Sequence, residues 1–272
     1  MNLKNLISKV IPAPVIHGSR YILDGDYRRK SQEKTRLRMM PRYQSAMINF
    51  FDKPVEIVDS VSFLDMYEDI FKQQTYRFQT SHSTPFIIDG GANIGLSTLY
   101  FKKLYPNSRI IAFEADEEIF GVLKRNVQGW GYNDVELNCR ALWSSETSLS
   151  FSPEGSYAGR LSITGDVQGK LTPTVRLRSY LDRPVSLLKL DIEGAETEVL
   201  TDCADLLGNV ENMFVEYHSF PGVRQSLGTI ISIITNVGFR FHVHSLSHSP
   251  QPLFHRSVAY GMDMQLNIFA FR

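Results

Sequence analysis

Cysteine is scarce: Cys139 and Cys203 are the only two in 272 residues, and no CxxC pair occurs. That excludes both a disulfide framework and a cysteine-rich zinc site. A charge surplus is missing too, with 29 Lys plus Arg set against 29 Asp plus Glu. A protein whose main business is holding nucleic acid needs a cationic excess to meet phosphate, so no nucleic-acid partner is expected. No apolar run approaches the ~20 residues of a membrane-spanning helix. The first residues also lack the continuous apolar stretch and small-residue cleavage site of a secretory leader, so a cytoplasmic location is expected. What remains is an ordinary globular inventory, 43% hydrophobic with 18 Gly and 12 Pro. A chain of this size can bury a core without covalent or metal staples.

Composition changes along the chain. Leu3, Leu6, Ile7, Val10 and Ile11 recur at helical spacing with Lys4 and Lys9 among them, and a basic stretch runs from 20 to 42. One reading of residues 1–42 is an amphipathic helix and basic arm making peripheral contact with anionic membrane lipid or a lipid-linked glycan. The preferred one is a docked helix followed by a solvated arm. Residues 1–84 as a whole read as an N-terminal accessory segment. It carries a short strand at 55–58, a helix with Phe63, Leu64, Tyr67 and Phe71 on one face, and a polar loop at 79–84 ended by Pro85. Tyr76 and Phe78, just before that loop, suit either a cover over a ligand or core packing.

From 85 to 272 the pattern alternates. Short apolar runs at 86–89, 109–114, 135–142, 187–191, 213–218, 239–244 and 267–271 read as strands. Helical patterns at 95–104, 117–127, 196–207 and 227–237 fall between them. Strands and helices at this pitch indicate an α/β fold with a doubly wound sheet. Residues 144–180, rich in Ser, Thr and Gly, read as an irregular or hairpin insertion between the third and fourth strands.

The first of these strands runs into Asp89-Gly90-Gly91-Ala92-Asn93-Ile94-Gly95. An apolar strand, a glycine-rich turn and then a helix make a nucleotide-cofactor loop, because glycines let the backbone approach the ligand. A pyrophosphate wants G-x-G-x-x-G at a helix N-terminus. Here the turn begins with a carboxylate, which repels a pyrophosphate but pairs with a cationic amino-acid moiety. S-adenosylmethionine, with an ammonium, a sulfonium and no phosphate, meets that electrostatic demand. Glu114 closes the second strand, where a bidentate carboxylate accepts both hydroxyls of an adenosine ribose. The rival short-chain dehydrogenase reading, using NAD(P), needs the other glycine spacing and a Tyr-x-x-x-Lys pair. No tyrosine here has Lys four residues on.

Ile87-Ile88-Asp89-Gly90-Gly91-Ala92-Asn93-Ile94-Gly95-Leu96-Ser97, Phe113-Glu114-Ala115-Asp116 and Leu188-Lys189-Leu190-Asp191-Ile192-Glu193-Gly194-Ala195-Glu196 resemble the FkbM family of S-adenosylmethionine-dependent methyltransferases. Phe214-Val215-Glu216-Tyr217-His218-Ser219 is similar to the family pattern as well, and the likeness extends from about residue 55 onward. Ala115 departs from it, since the family often has proline there. The resemblance implies a class I methyltransferase, Rossmann-like, seven-stranded sheet in 85–272. It also implies methyl transfer to a hydroxyl of a sugar, glycan, polyketide or related small molecule. Cofactor contacts are then expected from Asp89, Gly90, Gly91, Ala92, Asn93, Gly95, Glu114, Ala115 and Asp191.

Attack on the methyl group needs the acceptor oxygen in line and its proton removed. His218 is the leading candidate base by its ordinary pKa, with Glu193 and Asp191 orienting it or competing for the role. Asp191, Glu216 and His218 could alternatively ligate Mg²⁺ or Mn²⁺, but no metal is favoured, since Glu193 and Glu196 suit a helix N-terminus. A protein of this fold that binds the cofactor without turnover is the remaining alternative. Neither the acceptor's identity nor an oligomeric state is written in these residues.

Overall fold

The computed structural model describes residues 25–153, 159–162, 170–246 and 251–272, so the amphipathic pattern at 3–11 lies outside the described residues. The described chain begins with α1 (Gly25–Met39), then a hairpin of β1 (Ala46–Phe50) and β2 (Lys53–Ile57), then α2 (Ser60–Met66). Helix α2 starts at Asp59, which is 1% exposed. The Asp59 carboxylate accepts from Ser62 N at 2.9 Å and Tyr43 N at 2.8 Å, and pairs with Arg42 Nε at 2.9 Å. Burial alone would raise its pKa, but these donors win and hold it at about 2. Arg42, read in sequence as part of a solvated arm, is therefore a structural ligand of this cap. Helix α2 widens into a π-type segment, Tyr67–Gln73, that ends where Gln74 turns left-handed at φ 60°. Such segments recur at functional sites, and this one forms a wall of a cavity bounded by the main sheet.

Seven strands make up that sheet: β3 (Phe86–Gly90), β4 (Arg109–Phe113), β5 (Glu136–Asn138), β10 (Leu187–Leu190), β11 (Asn212–Ser219), β12 (Arg240–Ser245) and β13 (Met264–Phe271). Their spatial order is β12-β13-β11-β10-β3-β4-β5. The five from β5 to β11 are parallel, and β13 runs antiparallel to both of its neighbours. Strands buried on both faces need near-continuous apolar runs, which is why β3 and β10 do not alternate. Helices α3 (Leu96–Leu104), α4 (Glu117–Gly129), α5 (Glu196–Asp202) and α6 (Leu227–Asn236) connect the strands. From β3 the chain moves outward through β4 and β5, then returns to build β10 and β11 on the other side. The β3–β10 junction is thus the topological switch point, where open α/β sheets form their ligand crevice.

Two apolar layers cover the sheet. One joins Ile87, Leu99, Ile110 and Val127 to Ile48, Phe50, Ile57 and Phe63 of the preceding segment. The other gathers Ile88, Leu190 and Val215 under Leu200 and Ile230. Polar ties reinforce the first layer: Asn126 Nδ2 donates to Glu56 O at 2.9 Å, and Trp130 Nε1 to Pro54 O at 3.2 Å. Among the described residues no helix is long and apolar enough to cross a membrane.

The expected single strand at 135–142 is two strands. After Asn138 the chain leaves the main sheet, and β6 (Ala141–Trp143) pairs in parallel with β9 (Lys170–Arg176) instead. Apolar patterning continues across both segments while the pairing partner changes, so periodicity alone could not see the break. The 144–180 insertion contributes a hairpin of β7 (Ser148–Pro153) and β8 (Gly159–Ser162), and with β6 and β9 it forms a separate sheet ordered β6-β9-β7-β8. Strand β1 is likewise absent from the pattern read in sequence.

Candidate functional site

A cavity of about 490 Å³ opens at the carboxyl ends of β3, β4, β10 and β11. Its first wall is the turn after β3. Gly91 sits at φ 73°, and a Cβ there would lie 1.7 Å from the Asp191 carbonyl oxygen. Only glycine allows the two strand ends to meet so closely. Gly91 N and Ala92 N both donate to Phe113 O, at 3.0 and 2.8 Å. Asn93, left-handed at φ 49°, turns its N–H onto Glu114 Oε2 at 2.9 Å. Gly91, Ala92 and Asn93 line the cavity; Gly90 and Gly95 support it from behind. A Cβ on Gly90 would meet Leu142 Cδ1 at 2.9 Å, and one on Gly95 would meet Leu123 Cδ1 at 2.8 Å.

Asp89 requires a correction. Its carboxylate is fully buried, accepts from Ser97 Oγ and Thr98 Oγ1 at 2.7 Å each, and does not line the cavity. The expected direct pairing with a cationic ligand does not fit that position. Asp89 ties the strand end to the first turn of α3. Glu114 and Ala115 do line the cavity. Each Glu114 oxygen already accepts one backbone N–H, from Asn93 and from Asp116, leaving its other lone pairs for a ligand. Burial pushes the Glu114 carboxyl up to about 7, against those two hydrogen bonds.

The floor lies beyond the ends of β10 and β11. Asp191, Glu193 and Glu216 line it. Burial and the neighbouring Glu216 push the Asp191 carboxyl upward, opposed by Lys189 and His218. Burial drives the Glu193 carboxyl well above its ordinary range, and Glu193 Oε2 is enclosed without a hydrogen-bond partner. Gln265 Nε2 donates to Glu216 Oε1. His218 sits beneath, its side chain 1% exposed. Its Nδ1 is 3.0 Å from Glu196 Oε1, and its Nε2 is 3.4 Å from Glu193 and 3.5 Å from Glu216. Burial opposes a charge on this ring, yet the Glu196, Glu216 and Glu193 carboxylates carry its pKa well above the ordinary value. His218 itself does not line the cavity, and of the acids around it Asp191, Glu193 and Glu216 do.

Two residues escaped the sequence-derived site. Lys189 is 1% exposed in the middle of β10 and donates to Gly90 O at 3.1 Å and Gly91 O at 2.9 Å. It also stands 3.4 Å from both Asp89 and Asp191. A lysine inside an otherwise apolar strand is a signal in itself, since an ammonium is buried only when paired. Glu196, expected as a helix N-terminal charge, is buried at 1% exposure; it accepts from Ile192 N and Gly194 N, besides contacting His218. The opposite wall comes from the π-type segment and the few residues after it, through Glu68, Asp69 and Tyr76. Tyr76 packs edge-on against Phe214 at 4.8 Å and also lines the cavity.

A family model described as the methyltransferase FkbM domain matches residues 89–241. "Methyltransferase sdnD" of Sordaria araneosa is 30% identical over 208 residues, covering 61% of this chain and 79% of that protein. "Methyltransferase 1" of Beauveria bassiana is 26% identical over 215 residues, covering 69% and 85%. Among solved structures, a methyltransferase FkbM from Methylobacillus flagellatus aligns at 13% identity with a TM-score of 0.49. That alignment covers 74% of this chain and 47% of the solved one, so the chain spans about half the length of that protein.

Proposed function

Because the chain belongs to the FkbM methyltransferases, we propose that it transfers the methyl group of S-adenosylmethionine to a hydroxyl of a small-molecule or glycan acceptor. The observation that carries this reading is the pairing of the Gly91 turn with Glu114 on one wall of a 490 Å³ cavity whose floor is acidic. On this reading Glu114 accepts the ribose hydroxyls, and the backbone of Gly91 to Asn93 bounds the methionyl end. Asp191 carries negative charge toward the ligand's ammonium, an attraction that a nicotinamide dinucleotide, with its pyrophosphate, would turn into repulsion.

The acceptor enters over Asp191 and Glu193. Its hydroxyl oxygen forms the new bond to the methyl carbon as the carbon–sulfur bond breaks. The bonding pair leaves on sulfur, giving S-adenosylhomocysteine, and the hydroxyl proton passes to Asp191 or Glu193. Position supports these two as proton acceptors over His218, since both line the cavity.

Calorimetric titration of the purified chain with S-adenosylhomocysteine, NADH serving as the control, tests the cofactor. Binding of the first alone is expected, and binding of NADH alone would overturn the reading. Labelled S-adenosylmethionine with a panel of polyols, glycans and polyketide alcohols then tests transfer. Label recovered as a methyl ether supports the oxygen acceptor, whereas label on nitrogen or carbon overturns it.

A further inference from the structure

We propose that Asp191, Glu193 and His218 form a binding site for one divalent cation, Mg²⁺ or Mn²⁺, at the floor of the cavity. One ligand atom from each residue lies within 4.8 Å of the others. Two ligands on opposite sides of an ion with bonds of roughly 2.0–2.3 Å stand only slightly closer than that, so small side-chain adjustments close the shell.

Three features of the surroundings point to a cation. His218 is 1% exposed, and its Nε2 faces carboxylate oxygens at 3.4 Å on Glu193 and 3.5 Å on Glu216. Both are longer than an ordinary N–H···O bond. Its other nitrogen, Nδ1, faces Glu196 Oε1 at 3.0 Å, and Glu196 is itself fixed by the Ile192 and Gly194 N–H groups. A carboxylate behind a histidine sets its tautomer and turns the far nitrogen toward a metal. Finally, Glu193 Oε2 is enclosed and lacks a hydrogen-bond partner, an arrangement that costs energy until something positive meets it.

Charge fits as well. Asp191, Glu193, Glu196 and Glu216 surround the spot, against Lys189 beside Asp191, and uptake of the cation would release the proton that the His218 ring holds in its absence. Lys189 is already engaged by the Gly90 and Gly91 carbonyls. Two carboxylates and one imidazole make a hard, oxygen-rich donor set, which suits Mg²⁺ or Mn²⁺ better than Zn²⁺. On the methyl-transfer reading, on which this role rests, the cation would bind the acceptor hydroxyl and lower its pKa for attack.

Mn²⁺ titrated onto the full chain, with the free ion followed by its paramagnetic resonance signal, tests the site. One Mn²⁺ per chain is expected, displaced by excess Mg²⁺ and weakened at least about tenfold in both Glu193→Gln and His218→Gln. Should the His218 variant fail to fold, Glu193→Gln carries the test, because that side chain sits at the cavity edge with 19% exposure. A wild-type protein that binds S-adenosylhomocysteine but takes up no Mn²⁺ overturns the cation site and leaves the methyltransferase reading intact. Mn²⁺ uptake unaltered by the variants overturns it too, since the ion then sits elsewhere. Site-dependent Mn²⁺ uptake without any S-adenosylhomocysteine binding supports the site and sinks the cofactor reading instead. Full methyl transfer after exhaustive chelation would overturn the cation's part in the chemistry.

Discussion

The two sides of the cavity are built from different material. The wall after β3 is made of backbone: glycines at positive φ, N–H groups turned onto Phe113 O and Glu114, and few charges. The floor after β10 and β11 is made of side chains, four carboxylates with a lysine and a histidine set among them. A backbone wall has one shape, dictated by where glycine is required, and its spacing can be read along the chain. The side-chain floor is a balance of charges whose meaning depends on distances the chain order does not contain. The two meet at one point, where Gly91 lies against the Asp191 carbonyl.

Replacing that glycine tests the backbone side most severely. Gly91→Ala places a methyl group 1.7 Å from Asp191 O in a left-handed conformation. About 4 kcal/mol or more of lost stability is expected, with cofactor binding abolished. Denaturant unfolding and calorimetry check this, and a variant with near-native stability would show that the strand ends can part without cost.

The floor should respond through charge. Lys189→Met removes the ammonium between Asp89 and Asp191 and orphans a fully buried carboxylate. Breaking a buried pair from one side costs about 3–5 kcal/mol. The double variant Lys189→Met with Asp89→Asn should recover part of that loss in urea melts. No recovery would mean that Lys189 acts through the turn carbonyls alone.

The smallest effect links the two sides through pH. Glu114 ionises at about 7 in the folded protein, above its ordinary 4.5, because burial disfavours the charge. The carboxylate is the better acceptor for ribose hydroxyls, so affinity for S-adenosylhomocysteine should climb as pH rises from 6 to 8, by up to about tenfold, and then level off. Glu114→Gln should bind weakly with no such rise. A flat wild-type profile from calorimetry across this range would separate Glu114 from the cofactor.

Sequence made the backbone side legible. The Gly-x-Asn-x-Gly turn, Glu114 at the end of β4, and the alternation that builds a doubly wound sheet all stand where the patterns put them. Asp89 misled because a strand-end acid reads the same whether it faces the ligand or, as here, the Ser97 and Thr98 hydroxyls. The surroundings of His218 were hidden for a related reason: an ordinary histidine pKa says nothing about three carboxylates gathering around the ring from α5, its preceding turn and β11. The split between β5 and β6 was invisible because the alternation of Val135, Leu137, Cys139 and Ala141 runs through the break and only the pairing partners differ.

The ties between the first hairpin and α4 also bear on how the chain acquires its structure. Glu56 and Asn126 bond across 70 positions, and Lys53 Nζ reaches Trp130 O across 77. The hairpin therefore lacks this part of its docking surface until α4 has been synthesised. A cut at the polar loop before Pro85 would not liberate an independent module. It would strip one apolar face from the remainder, so truncated chains beginning there should aggregate where the longer chain refolds.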